Sequence, residues 1–268
     1  MALKNKRQLS RVSTVYIALG VLLITLMAIV GMSAFMQARE IIVEGASVYS
    51  IEEIVEASGL SPGNNLLFVN TQNVSQNIRD ALPFVSAAQV TRELPDTVRI
   101  EVTESRAVAR IVHAGSELVI DAAGRVLAVE DAEIAVSGVT QGSAISTNLI
   151  EVRGVEIDNY TLGSVLKPVF GTDTKLQYML DVLSALEHDE LVNDVSLLDV
   201  SNIVNVYFEL LGKYRVVLGG ATNLRPANLR HHIGGLMDNV ARIEGTFPNV
   251  SGSIIFDESG PPRFVPDG

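Results

Sequence analysis

The sequence has 268 residues, with 20 Lys and Arg against 31 Asp and Glu, a net charge of −11, and no cysteine. The missing cysteines exclude disulfides, thiolate metal sites and a cysteine nucleophile. Charge is unevenly spread. Residues 1–39 hold five basic residues and no acid, so residues 40–268 carry 15 basic and 31 acidic residues, a net of −16 that disfavours nucleic acid and anionic lipid as partners.

Val12 to Ala38 is a run of 27 residues without a charge, and Tyr16 to Met36 is almost wholly apolar. About 20 such residues in a helix cross the hydrocarbon of a bilayer. Lys4, Lys6, Arg7 and Arg11 precede the run, and the positive-inside rule then places the N-terminus in the cytoplasm and the rest outside. Ser33-Ala34 and Ala38 supply the small residues of a cleavable signal peptide, the alternative reading. The apolar core of such a peptide spans only about 7–15 residues, and this run is longer.

Past the run, Ile41-Ile42-Val43-Glu44-Gly45 reads as a short strand closed by glycine. Ser50 and Glu53 form a capping box that opens a helix, with Ile51, Ile54 and Val55 at helical spacing and Gly59 at its end. After the loop Ser61-Pro62-Gly63-Asn64-Asn65, Thr71 starts a second helix with Val74, Ile78 and Leu82 on one stripe. The segment Leu82–Arg106 then predicts an antiparallel hairpin. Val98, Ile100 and Val102 alternate with polar residues, and Leu94-Pro95-Asp96 marks the turn. The order is strand, helix, helix, strand, strand, closing near Ser105.

Short strands follow at Val108–Val112, Leu118–Asp121 and Val126–Val129, whereas 131–172 is rich in glycine, serine and threonine and reads weakly. A helix begins at Asp173 or Thr174, with Leu176, Leu180, Leu183 and Leu186 along one side. Strands are expected at Val195–Val200, Ile203–Leu211 and Tyr214–Leu218, the last two joined by a turn at Gly212-Lys213. A last helix carries Leu229, Ile233, Leu236 and Val240. Ser253–Asp257 and Arg263-Phe264-Val265 read as closing strands, and prolines 261, 262 and 266 mark them as edge material. An edge left partly open can accept a strand from another protein.

Catalytic patterns are absent from the sequence. His113, His188, His231 and His232 form no HExxH or HxH, and the adjacent His231-His232 point about 100° apart on a helix and read as exposed. Neither a GxSxG elbow nor a GxxxxGK[ST] loop occurs. Asp121, Asp199 and Asp257 each close a strand, where Asp commonly starts a turn. The triplets at Asn73 and Asn249 match a glycosylation sequon by composition alone.

Taken in order, the basic tail, the apolar helix and IIVEG…SIEEI…SGLSPGNNLLFVN…LPFVSAAQVTRELPDTVRIEVTESRAVA resemble the FtsQ/DivIB family of bacterial cell-division proteins. The first module is similar to that family's POTRA (polypeptide-transport-associated) domain. Leu118–Val126, with its hydrophobic-Asp-x-x-Gly segment, together with Tyr214–Gly219, the Leu229–Val240 helix and Ile254–Asp257, is similar to its extracytoplasmic β domain.

The resemblance implies an α+β chain: a tail at 1–14, a transmembrane signal-anchor helix at 15–37, a βααββ POTRA-like domain at 38–105, a mostly antiparallel β domain with two covering helices at 106–258, and an edge strand or tail at 259–268. It implies a non-catalytic divisome scaffold without cofactor or metal, single-pass in the cytoplasmic membrane with its ectodomain outside, enriched at the septum and influencing septal peptidoglycan synthesis. The implied partners are FtsB/DivIC-type and FtsL-type division proteins, with no nucleic acid and no small-molecule substrate. Strand addition is implied at Ile255, Phe256, Glu258, Arg263, Phe264 and Val265, and charged residues in place of Phe256 and Phe264 are expected to abolish partner binding without unfolding the domain. At this point the chain departs from the family pattern, which closes the strand with aromatic and arginine residues where Asp257-Glu258-Ser259 stands here. An exported membrane-anchored cell-envelope hydrolase and a POTRA-containing transport or assembly module are the alternative readings.

Overall fold

The computed structural model describes residues 11–131, 148–169, 171, 173–220, 223–256 and 261–267. The chain divides into two compact units, one of residues 1–45, 51–78 and 88–102, the other of residues 46–50, 79–87 and 103–268.

The first unit opens with helix α1, Arg11–Phe35. Apolar side chains along it are open: Val15, Tyr16, Leu19, Leu22, Ile24 and Met27 are all more than half exposed. Over the residues described to the side chain, no helix is long and apolar enough to cross a membrane.

Strand β1 (Glu40–Glu44), helices α2 (Ile51–Ser58) and α3 (Thr71–Ala81), and strands β2 (Val85–Glu93) and β3 (Thr97–Glu104) follow in the expected order. The three strands form a sheet in the order β1-β3-β2, with β1 parallel to β3 from Glu40↔Thr97 to Glu44↔Glu101. Alternation along β3 places Val98, Ile100 and Val102 in the core with Ile54, Val74 and Ile78 of the two helices. Gly59 ends α2 at φ 69°, the left-handed value that favours glycine there. The cap of α3 is Asn70, whose Oδ1 accepts from the Gln72 and Asn73 N–H groups at 3.1 and 3.2 Å. Gly45 is needed for space as well as for its φ of 83°, since a Cβ there would meet the Val102 carbonyl oxygen.

In the second unit a nine-stranded sheet runs in the order β12-β11-β10-β9-β8-β7-β4-β5-β6. Its strands are β4 (Ala109–His113), β5 (Ser116–Ile120), β6 (Val126–Asp131), β7 (Ile150–Arg153), β8 (Val195–Asp199), β9 (Val206–Leu210), β10 (Tyr214–Gly219), β11 (Gly252–Ile255) and β12 (Arg263–Pro266). The pairs β4·β5, β5·β6, β8·β9, β9·β10 and β11·β12 are antiparallel; β4·β7, β7·β8 and β10·β11 are parallel. Parallel neighbours need a crossover. Helix α4 (Asp173–His188) supplies it between β7 and β8, and α5 (Pro226–Gly234) with α6 (Leu236–Thr246) between β10 and β11. Leu176, Met179, Leu183 and Leu186 of α4, Leu229 and Ile233 of α5, and Leu236 and Val240 of α6 share one core with Ile111, Phe208, Val216 and Ile254 of the sheet.

Four expectations change here. The single last helix is two, broken at Gly235 (φ −97°, ψ 4°), so three helices cover the sheet instead of two. The strand expected from Ile203 starts at Val206, because Ile203 and Val204 lie in a turn and are 41% and 69% exposed. The β9–β10 turn takes in Leu211 as well as Gly212 and Lys213, with Leu211 and Gly212 at positive φ (55° and 61°) and the Lys213 N–H donating to the Leu210 carbonyl at 3.1 Å. Strand β7 was not legible in the weak region, being four residues long.

The Asp-x-x-Gly segment has a structural explanation. Asp121, 7% exposed, accepts from the N–H groups of Ala123 (3.0 Å) and Arg125 (2.8 Å) and from the Ser105 hydroxyl (2.7 Å). Gly124 turns at φ 78° against Leu180 of α4. Asp121→Ala leaves two part-buried N–H donors and the Ser105 hydroxyl without this acceptor. It is expected to cost about 1–3 kcal/mol, checked as a lower midpoint in urea unfolding. Asp199 is likewise engaged. Burial would raise its carboxyl, but hydrogen bonds from Ser201 and from the Tyr207 hydroxyl outweigh it and hold the group below the usual carboxylate range. Asp257 lies outside the described residues.

Candidate partner-binding edge

Strand β12 forms one border of the nine-stranded sheet. It pairs antiparallel with β11 in the register Gly252↔Pro266, Ser253↔Val265, Ile254↔Phe264 and Ile255↔Arg263. The Asp267 N–H donates to the Ser251 carbonyl at 3.0 Å, which sets the phase of the ladder. Alternating from that bond, Val265 and Arg263 turn their backbone groups toward β11, and Phe264 and Pro266 turn theirs outward. Pro266 has no N–H, and neither has Pro262, two residues before Phe264. The outward face of β12 therefore offers one donor, the Phe264 N–H, between carbonyl acceptors. Such an edge accepts a short antiparallel partner and resists the long ladders of aggregation.

The edge is fastened from inside. Phe264 packs edge-on against Tyr214 with ring centroids 6.1 Å apart and lies 5.8 Å from the Phe247 ring. This close approach requires Gly252 opposite, where a Cβ would sit 2.4 Å from the Val265 carbonyl oxygen and 2.7 Å from the Phe264 ring. Buried Asn223 donates from Nδ2 to the Leu218 carbonyl (2.8 Å) and to the Phe256 carbonyl (3.0 Å), tying the end of β10 to the segment after β11. Tyr214 also donates its hydroxyl to Glu244 of α6 at 3.1 Å, and Lys213 reaches the same carboxylate at 2.9 Å. Hydrogen bonds from Lys213 and Tyr214 hold Glu244 below the usual carboxylate range.

The residues proposed from sequence separate into distinct positions. Arg263 and Val265 are exposed, on the sheet face opposite the helices; Ile255, in register with Arg263 and Val217, is half-buried on that same face. Phe264 is half-buried on the helix side. Phe256 is 4% exposed in the core, its ring centroid 4.5 Å from that of His232. It supports the edge from beneath and shows only a sliver of its surface to the neighbouring groove, which corrects the expectation that it can take a charge without unfolding. Glu258 lies outside the described residues. His232, expected to be exposed, is half-buried; burial first, and then His231, hold its imidazole below the ordinary value. Beside the edge a groove of about 370 Å³ is lined by His231, His232, Asp238, Arg242, Phe256 and Pro262 among others. Asn223 and Gly252 were missed in the sequence, where an isolated Asn and Gly carry no periodic signature. The Pro262-x-Phe264-x-Pro266 phase was present there in plain form.

Comparison with known proteins bears on the first unit most directly. Residues 36–105, which contain β1, α2, α3, β2 and β3, match the FtsQ-type POTRA domain family. The chain is similar to cell division protein FtsQ of Corynebacterium glutamicum, 32% identical over 135 residues, 48% of this chain and 60% of the relative. It is similar to cell division protein DivIB of Clostridium acetobutylicum, 28% identical over 169 residues, 62% of this chain and 61% of the relative. It is also similar to DivIB of Clostridium tetani, 24% identical over 177 residues, 65% of this chain and 60% of the relative. The chain thus spans about three fifths of the length of these relatives. Residues 36–105 thus match the FtsQ-type POTRA domain family, in a chain that is similar to FtsQ and DivIB cell division proteins.

Proposed function

We propose that this chain is a non-catalytic cell-division scaffold, held in the cytoplasmic membrane by α1 and binding other division proteins outside it. The observation that carries the reading is the FtsQ-type POTRA match over residues 36–105, directly behind the charge-free run 12–38. Arg11–Phe35 is helical over 25 residues, about 37 Å at 1.5 Å per residue against roughly 30 Å of hydrocarbon. Its exposed aliphatic side chains suit lipid on all sides. The basic tail then keeps the N-terminus in the cytoplasm, with a POTRA-like domain at 38–105 and a β domain at 106–258 outside.

The partners in this reading are FtsB/DivIC-type and FtsL-type proteins, the first adding a strand to β12 and covering Arg263, Phe264 and Val265. Through them the chain influences septal peptidoglycan synthesis. The free edge of β12 supports this mode, since backbone pairing needs an outward donor flanked by acceptors. A fluorescent fusion of the full chain is expected at the division septum, and the full chain in detergent is expected to retain FtsB/DivIC-type and FtsL-type proteins in a pull-down. A uniformly distributed fusion that retains neither would overturn the reading.

A further inference from the structure

The first unit gathers four exposed apolar side chains at one end, where three separate segments are stitched together. The Leu66 N–H donates to the Met36 carbonyl, Ala38 N–H to Asn64, and Gly63 N–H back to Ala38, each at 2.8 Å. The Arg39 N–H donates to the Asp96 carbonyl at 2.8 Å, and Arg92 Nη1 reaches the Leu66 carbonyl at 3.1 Å. The residues just past α1, the 61–68 loop and the β2–β3 turn therefore share one end of the unit. Parallel pairing of β1 with β3 requires this, because both strands start there.

That end is apolar and carries two arginines beside two acids, in an otherwise acidic chain. Phe68 is 81% exposed, Phe35 72%, Leu94 58% and Leu67 48%. Arg39 and Arg92 are exposed beside them; Glu93 is occupied by Arg99 at 2.7 Å, and exposed Glu40 and half-buried Asp96 are the nearby acids. Single exposed apolar residues are ordinary, but a group of four at one end calls for a covering surface. The geometry points to the lipid headgroup region as that surface. Phe68, Leu67 and Leu94 enter the interface around the exit of α1, and Arg39 and Arg92 meet lipid phosphates, so that the POTRA domain stands on the bilayer on a fixed footing. Aromatic and basic residues are the side chains such an interface favours, and the net charge of −16 over residues 40–268 keeps the rest of the surface away from anionic lipid. The inference rests on the proposed anchoring by α1, which supplies the membrane at this end.

The chain contains no tryptophan, so one introduced indole reports one position. Phe68→Trp, Tyr16→Trp in α1, and Ile51→Trp at the end of the unit remote from the exit of α1 are prepared in the full chain. Each is placed in nanodiscs of phosphatidylcholine and phosphatidylglycerol, with and without bromine on the acyl chains near the headgroup. Tyr16→Trp and Phe68→Trp are expected to be quenched several-fold more than Ile51→Trp. Quenching of Tyr16→Trp with Phe68→Trp no more quenched than Ile51→Trp overturns the footing and leaves the anchor standing. Equal strong quenching of Phe68→Trp and Ile51→Trp overturns it too, since the domain would then lie flat. No quenching at either Tyr16→Trp or Phe68→Trp overturns footing and anchor together, whereas quenching at Phe68→Trp alone keeps the contact and removes the anchor.

Discussion

Replacing Phe264 by proline is expected to weaken binding of a DivIC-type ectodomain about ten- to a hundredfold beyond the effect of Phe264→Ala. Both variants lose the ring that packs on Tyr214 and Phe247. They differ in the backbone donor, which Ala keeps and Pro removes. Because Phe264 turns its N–H away from β11, its loss spares the β11–β12 ladder and falls on the added strand. A partner carbonyl then enters the interface without a donor, at about 1–3 kcal/mol, and each 1.4 kcal/mol is tenfold in Kd. Titration calorimetry of the full chain in detergent, with matched melting temperatures for the two variants, is the measurement. Equal affinities for the two variants would sink strand addition at β12, whatever the partner's identity.

Phe256→Ala is expected to act by the opposite route, on the fold itself. The ring is 4% exposed and belongs to the same core as Leu229, Ile233 and Ile254. Removing it leaves a cavity beneath β11 and takes the apolar cover from His232, at a cost of about 3–5 kcal/mol. In a unit of this size that lowers the melting temperature by roughly 2–4 °C per kcal/mol. A charged residue at position 256 costs more, because it has no water there. Differential scanning calorimetry distinguishes the outcomes. A variant that melts like the parent yet fails to bind would mean that Phe256 is a contact after all. Loss of binding in proportion to loss of stability matches the structure.

The contrast between these two phenylalanines marks how far the sequence could be read. Both stood in the predicted contact segment, eight residues apart, and nothing in composition or spacing separates them. Burial does. Phe256 follows a strand parallel to β10 and turns under α5, whereas Phe264 lies on the border strand and covers a glycine. The last helix shows the same limit. Its stripe Leu229, Ile233, Leu236 and Val240 was legible and all four residues are buried, but the break at Gly235 is a backbone event that leaves the stripe almost in phase. Asp121 was legible as a turn residue, and its service to Ser105 across 16 residues was not.

Local chemistry alone determined the charge-free helix, the order of the POTRA elements, the alternation of β3, and the residues that would face the cores. Each of these is set by periods of 3.6 or 2 and by Gly, Pro and Asn within a few residues, so the chain spells them out. Tertiary structure decided which strands became borders, which carbonyls and donors faced outward, and which apolar side chains were left uncovered at one end of the first unit. Those depend on pairing between residues far apart in the chain, such as β4 with β7 or β10 with β11. A sheet border is a property of the whole strand order, and no stretch of sequence carries it alone.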